Sequence, residues 1–426
     1  MYIQNLNNFP KNKRFQDGLK ILDEGIAAAD PKNFLKKFVK KGHLCLDGKN
    51  FSLKNYEKIY LVAFGKAADS MVNTVNGIIK NDGGIIVIPR GTTPKIKSKK
   101  FKIFQSGHPK PNQASIIAAK SIISLLKNCE KNDLVIFLVS GGGSALLSYP
   151  DGITLAEKQK TTDVMLKEGL RIQEINCIRK HLSKIKGGRL VQDMKCDGIS
   201  LVMSDVEGDD LSSIASGCTY FDNTTYNDAL SILKKYHIKD KIPKNILAIL
   251  EKGRIGKIKE TPKKKTISNT IVASNEIAIK QMQKKAIRLG YKTRTAQVFV
   301  EISKGCRKLL QNRPKRKNSC LIFGGETTVK ITGGGRGGRN QELVLRFLKE
   351  MLKTKENLLI GSIGTDGIDG NTSYAGAITD LIQIDKTVIE KYLKENNSNA
   401  FFKKYGGLVY TGNTHTNIID IGLIIK

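Results

Sequence analysis

Two apolar runs mark the first half of the chain, IYLVAF at 59–64 and LVIFLV at 134–139. Each predicts a buried strand, and the continuous run at 134–139 is typical of one covered on both faces. Around them apolar residues recur at helical spacing. Ala67, Met71, Val75 and Ile78 predict a helix over 66–80, and further helices are predicted over 114–126, 155–169 and 173–192. Shorter strands are predicted at 85–88, 101–104 and 199–203. Strand and helix alternate, which predicts a parallel, doubly wound sheet. The segment KGRIGKIKETPKKKT at 252–266 is basic and poor in large apolar groups. It reads as a linker or surface excursion. The pattern then restarts, with strands at 270–273, 321–323, 327–331 and 358–363 and helices over 276–289 and 340–351. Two α/β domains follow, residues 1–250 and 269–426, joined by a basic segment at 251–268.

Composition narrows the function classes. The 426 residues include 72 basic and 39 acidic ones, a formal charge of +33. Such charge is one footprint of nucleic-acid binding, but lysines crowd every segment, aromatic residues are few and tryptophan is missing. Nucleic acid is therefore not the expected partner, and the field suits a small anionic substrate. No 18-residue apolar run occurs, which argues against a membrane span. Seven cysteines without CxxC pairs and a polar start to the chain predict a cytoplasmic protein with reduced thiols. A homodimer is left open.

The loops carry the candidate chemistry. GGETTVKITGGGRGGRNQELVL, 324–345, places a glycine-rich turn before a helix. Exposed amides and the helix dipole favour phosphate there, with Gly335, Gly337 and Gly338 as the cradle and Arg336 and Arg339 as forked donors. In FLVSGGGSALLSYP, 137–150, Ser140, Gly141, Gly142, Gly143 and Ser144 follow a buried strand and read as a second anion cradle. The spacing does not fit a G-x-S-x-G nucleophile elbow. Lys66, in VAFGKAADSM, opens a helix against its dipole, as expected of a cation aimed at a ligand. Asp205 ends a strand in LVMSDVEGDD, where a carboxylate could hold Mg²⁺ or accept a hydroxyl proton. Asp366 and Asp369, in GTDGIDG, are further metal candidates, with Asx-turns as the competing reading.

His108 lies in the rigid turn GHPKPN, and Arg179 and Lys186 in INCIRKHLSKIKGGRL; His108 and Arg179 are candidate substrate contacts. No G-x-x-x-x-G-K-[ST] occurs, so a standard P-loop is excluded. A G-x-G-x-x-G does occur at Gly333, Gly335 and Gly338. Its preceding strand is half polar and the expected acidic partner is not clearly placed, so a dinucleotide site is disfavoured there. It sustains one alternative, an NAD(P)-dependent hydroxypyruvate reductase.

Taken together and in order, GKAADSM, GHPKPN, VSGGGSALL, INCIRKHLSKIKGGRL, SDVEGDD with IASG, GGETTV with GGRNQE, GTDGIDG with AGA, and TGNTHTNIIDI resemble the glycerate 2-kinase family that carries a C-terminal MOFRL domain. The resemblance implies two Rossmann-like doubly wound α/β/α domains with an active-site cleft between them, the MOFRL domain being 269–426. It implies ATP- and Mg²⁺-dependent phosphorylation of D-glycerate to 2-phosphoglycerate. By motif it assigns catalysis to Lys66, Asp205 and Arg339, with cations from both lobes meeting at the substrate, and it brings Asn340 and Glu342 of GGRNQE into the site. The chain departs from the family pattern at Cys218, at Asn413 and His415, and at Asn397-Ser398-Asn399.

Overall fold

The two apolar runs are neighbouring strands. In a computed structural model of the chain, which describes residues 1–426, Ile59–Phe64 pairs in parallel with Leu134–Val139 along its whole length. Gly84–Pro89 and then Phe101–Ser106 extend the sheet on one side, Asp197–Met203 and then Ser268–Ala273 on the other. Every registered pair is parallel. Numbered along the chain, the strands lie in the order 3-2-1-4-5-6, that of doubly wound dinucleotide-binding sheets. The winding reverses between Ile59–Phe64 and Leu134–Val139, and ligands collect beyond the carboxyl ends of strands at such a switch. All residues of Leu134–Val139 are buried, as a strand covered on both faces requires.

Val62, Phe64, Val135, Phe137 and Val139 form one core face with Ala118 and Ile122 of the helix Gln113–Asn128. A separate apolar cluster, built on Met165, Ile178, Leu230 and Leu250, ties together four helices, Leu155–Lys167, Ile172–His181, Tyr226–Lys235 and Lys244–Arg254. It supports the helices that carry Lys158 and Arg179.

Two local expectations fail here. The helix expected over 173–192 stops at His181, because Ser183 bridges to Pro150 and Gly187 and Gly188 take left-handed φ values of 60° and 84°. The expected linker over 251–268 begins inside the helix Lys244–Arg254 and leads into Ser268–Ala273, the last strand of the first sheet. That strand had been expected to open the second domain. The compact units are accordingly Leu35–Val272 and, together, Met1–Phe34 with Ala273–Lys426. Residues 1–34 leave the first unit because the helix Lys13–Ala29 packs on the second sheet. A Cβ built on Gly25 would meet Ile421 Cδ1 at 2.4 Å, so glycine permits that approach.

The second sheet runs Lys292–Gln297, Ser319–Gly325, Asp420–Ile425, Leu359–Gly364, Gly376–Thr379, Leu408–Val409. The helices Lys13–Ala29 and Asn275–Arg288 cover one face and Arg339–Thr354 the other, so this unit is also α/β/α. Its winding is mixed rather than wholly parallel. The C-terminal strand Asp420–Ile425 inserts antiparallel to both Ser319–Gly325 and Leu359–Gly364. The segment 327–331 forms no strand: Thr328 makes one bridge to Glu301, and Ile331 is 78% exposed.

Candidate active site

At the switch point of the first sheet two loops are stitched together by backbone. The Lys66 amide donates to the Gly141 carbonyl at 2.9 Å, and the Ala67 amide to Ser140 Oγ at 3.0 Å. Ser140 is buried, so its hydroxyl holds the loops together rather than facing a ligand. Lys66 precedes the helix Ala68–Asn76, whose N-cap has no side-chain acceptor. Gly142, at φ 80°, is the N-cap of the short helix Gly143–Leu146 and likewise leaves it without a side-chain cap.

Three expected residues converge on this loop. A Cβ built on Gly142 would lie 3.0 Å from His108 Nε2 and 3.2 Å from Lys66 Cγ. One built on Gly141 would lie 1.8 Å from Asp205 Oδ2. The strand end at Met203 thus delivers a half-buried carboxylate to Gly141, while Lys66 and His108 lie against Gly142. Burial, and then the Lys66 ammonium, lower the His108 pKa, which favours the neutral ring. Asp210, close behind in sequence, instead accepts from the Ser212 amide and from the Ser212 and Ser213 hydroxyls, a turn-capping role.

Beside these groups is a cavity of about 320 Å³, lined by His108, Gly142, Ser144, Lys158 and Arg179 among others. Ser144 Oγ lies 2.7 Å from Ser216 Oγ. The Lys186 ammonium, with no exposed surface, donates to the Ser144 carbonyl at 3.0 Å. Burial lowers the Lys186 pKa to about 8. Lys180, by contrast, is a structural cation, paired with buried Asp222 at 3.2 Å. Sequence reasoning passed over Lys158. Its signal was a lysine on the inner face of an otherwise ordinary helix, which is hard to see in a chain with lysine throughout.

In the second unit the glycine-rich loop differs from expectation. The amides of Gly333, Arg336 and Gly337 donate to the side chains of Asn396, Asn397 and Asn371, and that of Gly335 to the Glu395 carbonyl. Most of the cradle is therefore closed by the protein itself, and Gly335 and Gly337 do not offer open donors. The helix N-terminus is closed as well. Asp369 accepts from the Asn340 and Gln341 amides at 3.0 and 2.8 Å, and a Cβ on Gly338 would meet its carboxylate at 2.3 Å. A protein carboxylate occupies the place expected for phosphate. Burial raises the Asp369 pKa to about 7 despite those amides. Both of its oxygens act as caps, so the expected metal role does not fit it.

Asp366 accepts from the Ile368 amide at 3.1 Å, the Asx-turn alternative. Asn340 and Glu342 are buried and satisfied internally, Asn340 by Ser362 and Asp369, Glu342 by Arg346 and Asn396. Arg339 donates through Nε and Nη2 to Asp420 at 2.6 and 3.1 Å, and through Nη1 to Glu326. Asp420 reaches this place because the antiparallel strand sets it opposite Gly325 and Gly364, at the ends of two strands. No group of three His, Cys, Asp or Glu side chains in the chain forms a metal-ligand set, and no helix is long and apolar enough to cross a membrane.

A 3-2-1-4-5-6 sheet whose switch point gathers a lysine, a histidine, a carboxylate and glycine turns defines an α/β protein equipped to hold small anions. Comparison with known proteins narrows the class. Residues 17–251 match the family described as a domain of unknown function, DUF4147, and 319–420 match the MOFRL family; the chain belongs to the family that joins the two. It is 39% identical to a glycerate 2-kinase of Pyrococcus horikoshii over 96% of both chains. It is 37% identical to a D-glycerate 2-kinase of Thermotoga maritima, covering 87% of this chain and 92% of that one. A crystal structure of a glycerate kinase from Thermotoga maritima superposes with a TM-score of 0.79 at 32% identity, covering 96% of this chain and 98% of that one.

Proposed function

We propose that the chain phosphorylates D-glycerate on its 2-hydroxyl at the expense of ATP. The observation that carries this reading is the convergence of Lys66, His108 and Asp205 on the Gly141–Gly142 turn, in a chain similar throughout to glycerate 2-kinases. Phosphoryl transfer needs positioning and charge neutralisation more than covalent help. Lys66 supplies positive charge to the transferring phosphoryl group. Asp205 orients the attacking hydroxyl and takes its proton. The Gly142 turn and the uncapped helix start offer amides to oxyanions. Arg339 is assigned to the same reaction by its motif. Asp420 fixes the plane of its guanidinium, and Glu326, which is 43% exposed, is the partner a phosphate oxygen can displace.

Mg²⁺ travels with nucleotide phosphates and needs only one or two protein carboxylates. Asp205 fits that demand; Asp369, committed to two backbone amides, does not. The ion supplies charge neutralisation on the phosphate oxygens.

One coupled assay tests the reading. ADP release that depends on D-glycerate is expected. NADH oxidation with hydroxypyruvate, without ADP release, would replace it by the reductase alternative.

A further inference from the structure

Three cations of the first unit have no counter-ion. Lys158 is 6% exposed, and its ammonium donates to the Ser148 hydroxyl alone. Lys186 is wholly buried and meets only oxygens of Ser144 and Ala215. Arg179, half-buried, lines the cavity and makes neither an ion pair nor a hydrogen bond. Nearby cations are neutralised, Lys110 by Asp163 and Lys180 by Asp222. Burying unpaired charge is costly, and proteins rarely retain it without a partner. Burial, and then repulsion from Lys186 and Arg179, push the Lys158 pKa well down, and burial lowers that of Arg179, so the cluster is poised to gain from an incoming anion.

Charge and shape select the anion. Beyond these cations and Ser144, much of the wall is Pro109, Pro111, Ala145 and Leu166, and the one carboxylate present, Asp163, already pairs with Lys110. No carboxylate is left for the metal ion that a triphosphate carries. A planar guanidinium beside apolar walls matches a small organic carboxylate. We propose that this pocket takes the carboxylate end of the three-carbon acid, with Arg179 and Lys158 as its direct ligands and Lys186 positioning Ser144. The acid's hydroxyl end then lies toward His108 and the Gly142 turn, which border the same cavity. This assignment rests on the kinase reading above and names which groups hold the substrate.

The test is steady-state kinetics of Arg179→Ala and Lys158→Met against the parent. In both variants the KM for D-glycerate should rise about tenfold to a hundredfold, the range for one lost charged hydrogen bond, while the KM for ATP stays within about twofold. Lys158→Met should melt no lower than the parent, since it replaces an amine buried without a counter-ion by an apolar side chain, and this separates a ligand role from a structural one. An unchanged KM for glycerate in both variants, or a rise confined to ATP, overturns the pocket and leaves the kinase reading standing. Saturation-transfer NMR of D-glycerate reads the pocket without turnover. Signal is expected with the parent and not with Arg179→Ala; equal signal from both overturns the assignment even if the parent proves to be no glycerate kinase.

Discussion

Asp205 leans against Gly141 so closely that a methyl group at that glycine would overlap its carboxylate, with a built Cβ 1.8 Å from Oδ2. The φ of Gly141 is not in the left-handed region, so alanine is opposed there by the carboxylate and not by backbone strain. Gly141→Ala must push Asp205 aside. It should lower kcat at least about tenfold, on the scale by which small misplacements of a reacting group slow catalysis, with a small effect on melting. Turnover and thermal melting of the same preparation check this; full turnover would mean that Asp205 does not act from this position.

Lys66 shares that loop and is assigned to charge on the phosphoryl group. Lys66→Ala should cut kcat by about 10³ or more, as for other charge-stabilising groups in phosphoryl transfer, without loss of fold. The backbone bond from residue 66 to Gly141 survives the change, so circular dichroism should be unaltered while ADP release collapses.

The two partners of Arg339 should respond differently. Asp420 is 7% exposed and holds the guanidinium with two hydrogen bonds. Asp420→Ala leaves that charge partly buried with a weaker partner, and should cost about 2 kcal/mol, less than for a fully buried pair because Arg339 is a third exposed. Glu326→Gln should barely move stability, and its effect should fall on KM for ATP. Urea unfolding alongside kinetics separates the two.

Asp369 gives a pH signature. Its carboxyl has a pKa of about 7 in the folded chain, above that of an unfolded aspartate. The folded state therefore holds a proton that the unfolded chain has released, and stability falls as pH rises between roughly 4 and 7. Asp369→Asn removes this contribution. The melting temperature of the parent should drop relative to the variant between pH 5 and pH 8, on an otherwise shared background; parallel curves would exclude the shifted carboxyl.

Legibility in the sequence followed locality. The centre of the first sheet was readable because Ile59–Phe64, Gly84–Pro89, Leu134–Val139 and Asp197–Met203 are largely apolar runs, and the loops near their ends carried Lys66, His108, Ser140–Ser144 and Asp205 in plain view; the half-polar edge strand Ser268–Ala273 was read into the wrong domain. The C-terminal strand Asp420–Ile425 is strongly apolar, yet its antiparallel slot depends on partners 56 to 105 residues away, beyond any local pattern. Distance also hid the fate of the glycine-rich loop. Its amides are taken by Asn371, Asn396 and Asn397, and the helix start by Asp369, so free donors in the sequence became satisfied ones in the fold. The unpaired state of Lys158 and Arg179 was likewise invisible, since a missing counter-ion is a property of the packed structure.

The phosphorylated product itself decides whether the chain is a glycerate 2-kinase. Incubation of the purified chain with D-glycerate, ATP and Mg²⁺, followed by phosphorus–proton correlation NMR, should find phosphate on the oxygen of carbon 2. Phosphate on carbon 3, or unconsumed ATP beside active enzyme controls, would contradict the account.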